Sequence, residues 1–163
     1  HLDLIKENEF NFISHKEFIN SINSKNLDRK ILLTIDDGFK SFYENAWPIL
    51  KERKIPFIIF INTETIGSNG YMGWSEIKEI SSFEFVHIGN HSHTHDYLVD
   101  KSDKEIEDDL KTSIKIVESV IISFSSYLNA PPSGAEKIAI FLLSPITVPT
   151  NLMLFKRPLL CPV

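Results

Sequence analysis

Short apolar runs that alternate with helical patterns constrain the fold of this chain more than any other feature. Three runs, at residues 30–35, 56–61 and 83–88, have the length and the β-branched and aromatic content of buried strands. Helical segments lie between and after them. This alternation predicts parallel strands joined by helical crossovers, which is an α/β fold, and it predicts functional groups beyond the carboxyl ends of the strands.

The helices are marked by start signals and by apolar spacing. Ser102 and Glu105 have the form of a capping box, and the apolar residues that follow predict a helix over about 103–120. A shorter helix is expected at 74–80. Ser41 with Glu44 predicts a further helix that ends near residue 54, in which Pro48 must lie near the start or produce a kink.

Charge and composition exclude several classes of partner. The net charge of -5 and the pI near 5.7 give no basic surface for nucleic acid, so a neutral substrate is favoured. No apolar run approaches the ~18 residues of a membrane span, so none is predicted. The single cysteine, Cys161, forms no internal disulfide and leaves the redox compartment open. The chain begins with His1, so we expect a fragment in which a signal peptide cannot be judged.

The character of the sequence changes after residue 118. Residues 119–163 hold six of the eight prolines and only four charged residues. We therefore divide the chain into residues 1–118 and an atypical Pro-rich tail at 119–163. Two interpretations of the tail are open: a frame-shifted or truncated remainder of the same domain, or a genuine irregular segment.

Two clusters of polar residues follow the predicted strands. Asp36, Asp37 and Gly38 end the first strand, and a His-Ser-His-Thr-His segment follows the third. Histidines four residues apart fall on one face of a helical turn, so His91 and His95 can bind one ion while His93 points elsewhere. Gly38 lets the backbone turn, so the carboxylates of Asp36 and Asp37 can converge on a pocket at the end of the strand. Each cluster alone also fits an exposed turn or a solvated group of histidines.

Together the two clusters resemble a known family. Thr-Ile-Asp-Asp-Gly-Phe at residues 34–39 and His-Ser-His-Thr-His at 91–95 are similar to the first two signatures of the polysaccharide deacetylases, the nodulation-protein-B homology domain of carbohydrate esterase family four. The similarity covers roughly residues 28–118. It implies a distorted parallel (β/α) barrel, truncated here at its C-terminus, that hydrolyses N-acetyl groups on an acetylated polysaccharide or oligosaccharide in the cell envelope or outside the cell.

The same resemblance assigns roles to four residues. It implies Asp36 as the catalytic base and Asp37, His91 and His95 as ligands of a divalent metal, with zinc first and cobalt, nickel or manganese as alternatives. Such a site keeps positions open for water and substrate. Tyr71, Trp74 and Tyr97 flank the predicted site and could stack on sugar rings, although packing is the more frequent use of such residues.

The later signatures of the family are not found. No histidine follows His95 to supply the proton that the leaving amine needs, and residues 130–134 only echo the third signature, without its arginine. A catalytically incomplete metal- or glycan-binding fragment is therefore the alternative function. An iron oxygenase would also use two histidines and one carboxylate, but its closely spaced pair is normally His and Asp, not His and His.

Overall fold

The computed structural model describes residues 1–127 and 138–139, with side chains described up to residue 121. The strands are β1 (Asn11–Phe12), β2 (Lys30–Ile31), β3 (Leu33–Asp37), β4 (Phe57–Ile61), β5 (Val86–Asn90) and β6 (Ile138–Ala139). The helices are α1 (Leu2–Glu7), α2 (His15–Asn23), α3 (Trp47–Glu52), α4 (Trp74–Ser81) and α5 (Asp103–Tyr127). A π-helical turn (Phe42–Ala46) precedes α3, and a 3₁₀ turn (Leu98–Asp100) precedes α5.

A parallel sheet forms the centre of the described structure. Its strand order is β3-β4-β5-β6, and every neighbouring pair is parallel. Strands β1 and β2 form a separate two-stranded parallel pair. The register places Asp37 opposite Ile61 and Ile61 opposite Asn90, so the three strands end at the same level. The predicted α/β class with parallel strands is confirmed.

Two predicted strands are displaced in the structure. The run at 30–35 divides into β2 and β3 because its first part pairs with β1 and its second part with β4. The second part also continues through Asp37. The third strand begins at Val86, since the amide of Val86 donates to the carbonyl of Phe83 and closes a turn there.

The hydrophobic core lies between β4, β5 and the helices. Strand β4 is buried on both faces: Ile59 and Ile61 contact the main core cluster and Ile58 is buried on the opposite face. Trp47 packs edge-on against Phe57. Each such large side chain contributes roughly 1.5–3 kcal/mol when removed from water. The core therefore fixes α3, α4 and α5 against one face of the sheet.

Of the two capping boxes predicted from the sequence, the structure has one. Ser102 and Glu105 form the predicted capping box, with reciprocal hydrogen bonds of 2.8 and 3.4 Å. The capping box predicted for Ser41 is wrong: Ser41 has helical dihedral angles, and its side chain makes no capping bond because a π-helical turn begins there. Pro48 lies in the first turn of α3, as expected.

The last helix is longer than predicted. Helix α5 continues past residue 120 to Tyr127. Apart from 119–127 and 138–139, the predicted Pro-rich tail lies outside the described residues, as does the echo of the third signature at 130–134. Within the described part of the chain, no helix is both long enough and apolar enough to cross a membrane.

Candidate metal centre

The parallel register brings the two polar clusters to one edge of the sheet. Asp37 is the last residue of β3, and His91 directly follows β5. Between them, the carbonyl of Ile61 at the end of β4 accepts a hydrogen bond of 2.9 Å from the amide of His91. The carboxylate and the imidazole, 54 positions apart in the chain, are thereby placed beside each other.

Three donor atoms form a compact triangle at this edge. Asp37 Oδ1 lies 3.4 Å from His91 Nε2 and 3.1 Å from His95 Nε2, and the two imidazole nitrogens lie 3.2 Å apart. Ligands that bind one zinc ion tetrahedrally at about 2.0–2.1 Å are separated by roughly 3.3 Å. The spacing of the three donors therefore matches a shared cation.

The environment of Asp37 Oδ1 supports the same conclusion. This oxygen is buried and has no hydrogen bond of acceptable geometry, although both imidazole nitrogens are near. A buried carboxylate oxygen without a partner is costly, and three converging donor atoms repel when none carries a proton. A divalent cation relieves both costs, so the donor set fits such an ion.

The backbone around Asp37 is turned sharply. Asp37 and Gly38 both have positive φ angles, 72° and 78°. A Cβ atom at position 38 would lie 3.0 Å from Ile66 Cδ1, so glycine also provides the room for this turn. The structure brings Asp37 into the donor triangle. Asp36 is an exposed neighbour that is not one of its three donors.

The histidine segment is a loop, so the predicted helical turn over 91–95 is wrong. Residues 91–95 have no helical hydrogen bonding, and Ser92 and His95 have φ angles of 70° and 61°. Side-chain bonds replace the helical ones: the amide of Ser92 donates to Asn90 Oδ1 at 2.7 Å, and the amide of His95 donates to Ser92 Oγ at 3.0 Å. This folding, rather than helical periodicity, brings His91 and His95 together.

The middle of the loop is attached to neighbouring elements. His93 Nδ1 is 2.8 Å from Thr63 Oγ1, so this ring points away from the donor triangle, as expected. The carboxylate of Asp109 on α5 accepts hydrogen bonds from the amides of His93 (2.7 Å) and Thr94 (2.9 Å) and from the Thr94 hydroxyl (2.9 Å). The loop is therefore fixed from the side of α5.

The pKa of the Asp109 carboxyl reflects these contacts. Burial acts to raise it, but the hydrogen bonds from the loop outweigh burial and lower the pKa below its usual value of 3.8. The sequence analysis did not identify Asp109 as a functional residue. The sequence does contain an indication, because two polar residues one helical turn apart, Asp109 and the fully buried Ser113, interrupt the apolar face of α5.

The other candidate side chains have structural positions. His87 is buried and stacks on His15, with ring centroids 3.8 Å apart, which agrees with the expectation that it packs. Tyr71 stacks on Phe39 at 5.0 Å, Trp74 packs against the core, and Tyr97 is 83% exposed. None of these is a donor in the cluster of described residues that could hold a metal.

Fold and geometry together define a class of protein: a parallel α/β protein with a candidate Asp-His-His metal centre beyond its strands. Comparison with known proteins identifies the family. Residues 23–143 match the family model for polysaccharide deacetylase. The chain therefore belongs to the polysaccharide deacetylase family.

Individual relatives agree with this assignment. The poly-β-1,6-N-acetyl-D-glucosamine N-deacetylase of Staphylococcus aureus is 32% identical over 96 residues, which are 56% of this chain and 33% of that enzyme. The chain thus spans about a third of the length of the curated relatives that it matches.

Solved structures share the fold. The Streptococcus pyogenes deacetylase PplD, in complex with acetate, superposes with a TM-score of 0.67 at 22% identity, covering 74% of this chain and 55% of that one. IcaB from Ammonifex degensii gives a TM-score of 0.60 at 23% identity, covering 74% and 58%.

Proposed function

We propose that this chain is the metal-binding part of a polysaccharide deacetylase that hydrolyses N-acetyl groups on a glycan. The donor triangle of Asp37, His91 and His95 carries the proposal, because its 3.1–3.4 Å spacing suits a single cation. The Staphylococcus aureus relative acts on poly-β-1,6-N-acetyl-D-glucosamine, and this supports a polymer of N-acetylglucosamine as the substrate class. The net charge of -5 suits a substrate without negative charge.

The three donors would hold a divalent metal, with zinc as the first choice. One carboxylate and two imidazoles are ligands that zinc prefers, and they also suit cobalt, nickel and manganese. A metal held by these residues would supply Lewis acidity toward the acetyl carbonyl and would make a water a better nucleophile near neutral pH. The side chains of Asp37 and His91 are 23% and 35% exposed, so the donor set is partly buried but still in contact with solvent.

Asp36 is proposed as the catalytic base. Its side chain is exposed and it precedes the ligand Asp37 in the chain, and this, with the family resemblance, supports a role in accepting a proton from an attacking water. The amine that leaves must gain a proton, and none of the six histidines follows position 95. The chain's own residues would thus provide metal binding and proton acceptance, but no histidine after residue 95 is present to donate a proton.

We also infer a distorted (β/α) barrel for the complete domain. The four described strands of the main sheet are parallel and lie in sequence order, as they would in one wall of such a barrel. The candidate metal centre lies at the carboxyl ends of the strands, which is where barrel enzymes place their active sites.

Acetate release provides the test of the main proposal. The chain is freed of metal, loaded with one equivalent of Zn²⁺ or Co²⁺, and incubated with oligomers of β-1,6-linked N-acetylglucosamine. We expect acetate release that stops when a chelator is added and resumes when metal is restored. The Asp37→Asn variant is the matched control, because it keeps the size of the side chain and removes its charge.

A metal- or glycan-binding fragment without turnover is the second candidate. The absence of a histidine after position 95 and the coverage of about a third of the curated relatives favour it. Stoichiometric metal binding without chelator-sensitive acetate release would select this alternative. Failure to bind Zn²⁺ or Co²⁺ at all would overturn the metal-dependent deacetylase and the metal-binding form of the second candidate.

A further inference from the structure

Helix α5 holds the histidine loop through one carboxylate. Asp109 accepts three hydrogen bonds from two consecutive loop residues: Oδ2 accepts from the His93 amide, and Oδ1 accepts from the Thr94 amide and hydroxyl. His93 and Thr94 lie between the two candidate ligands in the chain. A small movement of this pair would therefore displace His91, His95 or both.

A second connection runs from the same face of α5 to the same loop. Ser113 lies one helical turn after Asp109, and its Oγ accepts a hydrogen bond of 2.7 Å from Asn90 Nδ2. The Oδ1 atom of Asn90 accepts a hydrogen bond of 2.7 Å from the Ser92 amide. Ser92 Oγ in turn accepts from the His95 amide at 3.0 Å. The chain of contacts thus extends from a buried serine of the helix to the backbone of a candidate ligand.

The loop needs such restraints because its backbone is strained. Ser92 and His95 adopt positive φ angles although neither is glycine, and such residues persist only where surrounding contacts impose them. The contacts that hold the loop on the α5 side are those of Asp109 and of the Asn90–Ser113 pair. On the other side, the loop is held by backbone hydrogen bonds in which the amides of Thr63 and Glu64 donate to the carbonyls of Ser92 and His93.

We propose that Asp109 is a positioning residue for the metal centre: its carboxylate holds the 91–95 loop in the conformation that directs His91 and His95 toward Asp37. It touches neither the donor atoms nor the reacting groups. This inference deepens the proposed function and rests on it to the extent that the centre binds a divalent cation. Partners that orient metal ligands in this indirect way commonly change metal affinity by about 10- to 100-fold.

Zn²⁺ affinity of the untagged full chain provides the test, measured by competition with a chromophoric chelator. In Asp109→Asn, one oxygen is replaced by an NH₂ group that must face an N–H donor of the loop, so we expect about 10- to 100-fold weaker binding. Asp108→Asn removes the same charge from the neighbouring exposed position of α5 and should bind as the parent does. Thr94→Val, which deletes the hydroxyl bond to Asp109 and a longer bond of 3.4 Å from the Asp96 amide, should give a smaller loss in the same direction.

A structural loss is separated from a positioning effect by two further readouts. Thermal unfolding of the metal-free proteins reports folding, and the visible absorption bands of bound Co²⁺ report the arrangement of the ligands. We expect altered Co²⁺ bands in Asp109→Asn at saturating metal, and parental bands in Asp108→Asn.

The outcomes are distinguishable. If the parent binds no Zn²⁺, the proposed function fails and the inference fails with it. If the parent binds and a folded Asp109→Asn protein binds within about threefold of it, with unchanged Co²⁺ bands, only the inference is overturned. If Asp109→Asn does not fold, Thr94→Val decides: parental affinity in that variant overturns the inference, and weaker binding supports it.

Discussion

Two adjacent carboxylates at the end of β3 have different surroundings. Asp37 directs a buried oxygen toward two imidazoles, whereas Asp36 is exposed to solvent. Strand alternation separates neighbouring side chains, and the positive φ of Asp37 begins the turn that follows. This difference in burial agrees with the roles proposed from the family resemblance, Asp37 as metal ligand and Asp36 as base.

Substitution of the two aspartates should therefore have separable effects. In Asp37→Asn we expect loss of Zn²⁺ affinity by at least about 100-fold, because an anionic ligand is removed, and loss of activity as a consequence. In Asp36→Asn we expect near-parental affinity but acetate release reduced by about 10²- to 10⁴-fold, the usual contribution of a general base. Calorimetric titration and acetate assays measure the two quantities. Equal loss of metal by both variants would contradict the division of roles.

Gly38 combines a positive φ with close packing. Its φ is 78°, and an added Cβ would approach Ile66 Cδ1 to 3.0 Å. We expect Gly38→Ala to lower the free energy of unfolding by roughly 1–3 kcal/mol, measured by urea denaturation.

Gly70 provides the matched control for that substitution. Gly70 has a similar φ of 85° but no atom within 4 Å of an added Cβ, so Gly70→Ala tests the backbone strain alone. Gly38→Ala should be the more destabilising of the two, and equal costs would show that the contact with Ile66 is unimportant.

At the scale of elements, α5 couples its own stability to the loop that it holds. The hydrogen bonds that Asp109 accepts from the loop lower the pKa of its carboxyl, so the folded state favours the ionised form of this residue. Since its pKa in the folded state is below the ordinary 3.8, its contribution to stability is complete above that pH and is lost as pH falls through the folded pKa.

This linkage predicts a pH-dependent difference between the parent and Asp109→Asn. The parent should be the more stable protein near neutral pH, and the gap in unfolding free energy should narrow below about pH 4 as Asp109 becomes protonated. Urea denaturation of both proteins at several values between about pH 6 and pH 3 measures the gap. A gap that stays constant across this range would show that ionised Asp109 does not stabilise the fold.

Sequence patterns located β3 to β5 and α3 to α5 but not their local deviations, and they predicted none of the elements α1, β1 and α2. The apolar runs located these strands. Because parallel strands place their carboxyl ends at one edge of the sheet, the sequence also predicted that Asp37 lies near the histidines. The loop at 91–95 could not be predicted in this way. Its shape depends on bonds from Asn90 and Asp109, which are side-chain contacts with no periodicity. The π-helical turn that displaced the Ser41 cap likewise has no signal in apolar spacing.

At the scale of the whole molecule, the candidate metal centre connects parts of the chain that are distant in sequence. It joins the end of β3 to the loop after β5, and that loop is attached to α5. Within the described residues, β3 pairs with a strand on one side only, and an edge strand is less well secured than a central one. We therefore expect modest stability for this chain without metal.

Metal binding should consequently raise the unfolding temperature of the entire described core rather than of one loop. A ligand present at about 100 times its Kd stabilises a folded protein by about 2.7 kcal/mol, which for a chain of this size corresponds to a rise of roughly 5–10 °C. We expect this rise for Zn²⁺ in differential scanning calorimetry of the parent. Mg²⁺ should give almost no rise, since it prefers oxygen ligands in octahedral arrangement.

Asp37→Asn, which removes the donor contributed by β3, should abolish the shift in unfolding temperature even if the two histidines still bind zinc weakly. A full shift in that variant would mean that the ion stabilises the protein without joining β3 to the histidine loop.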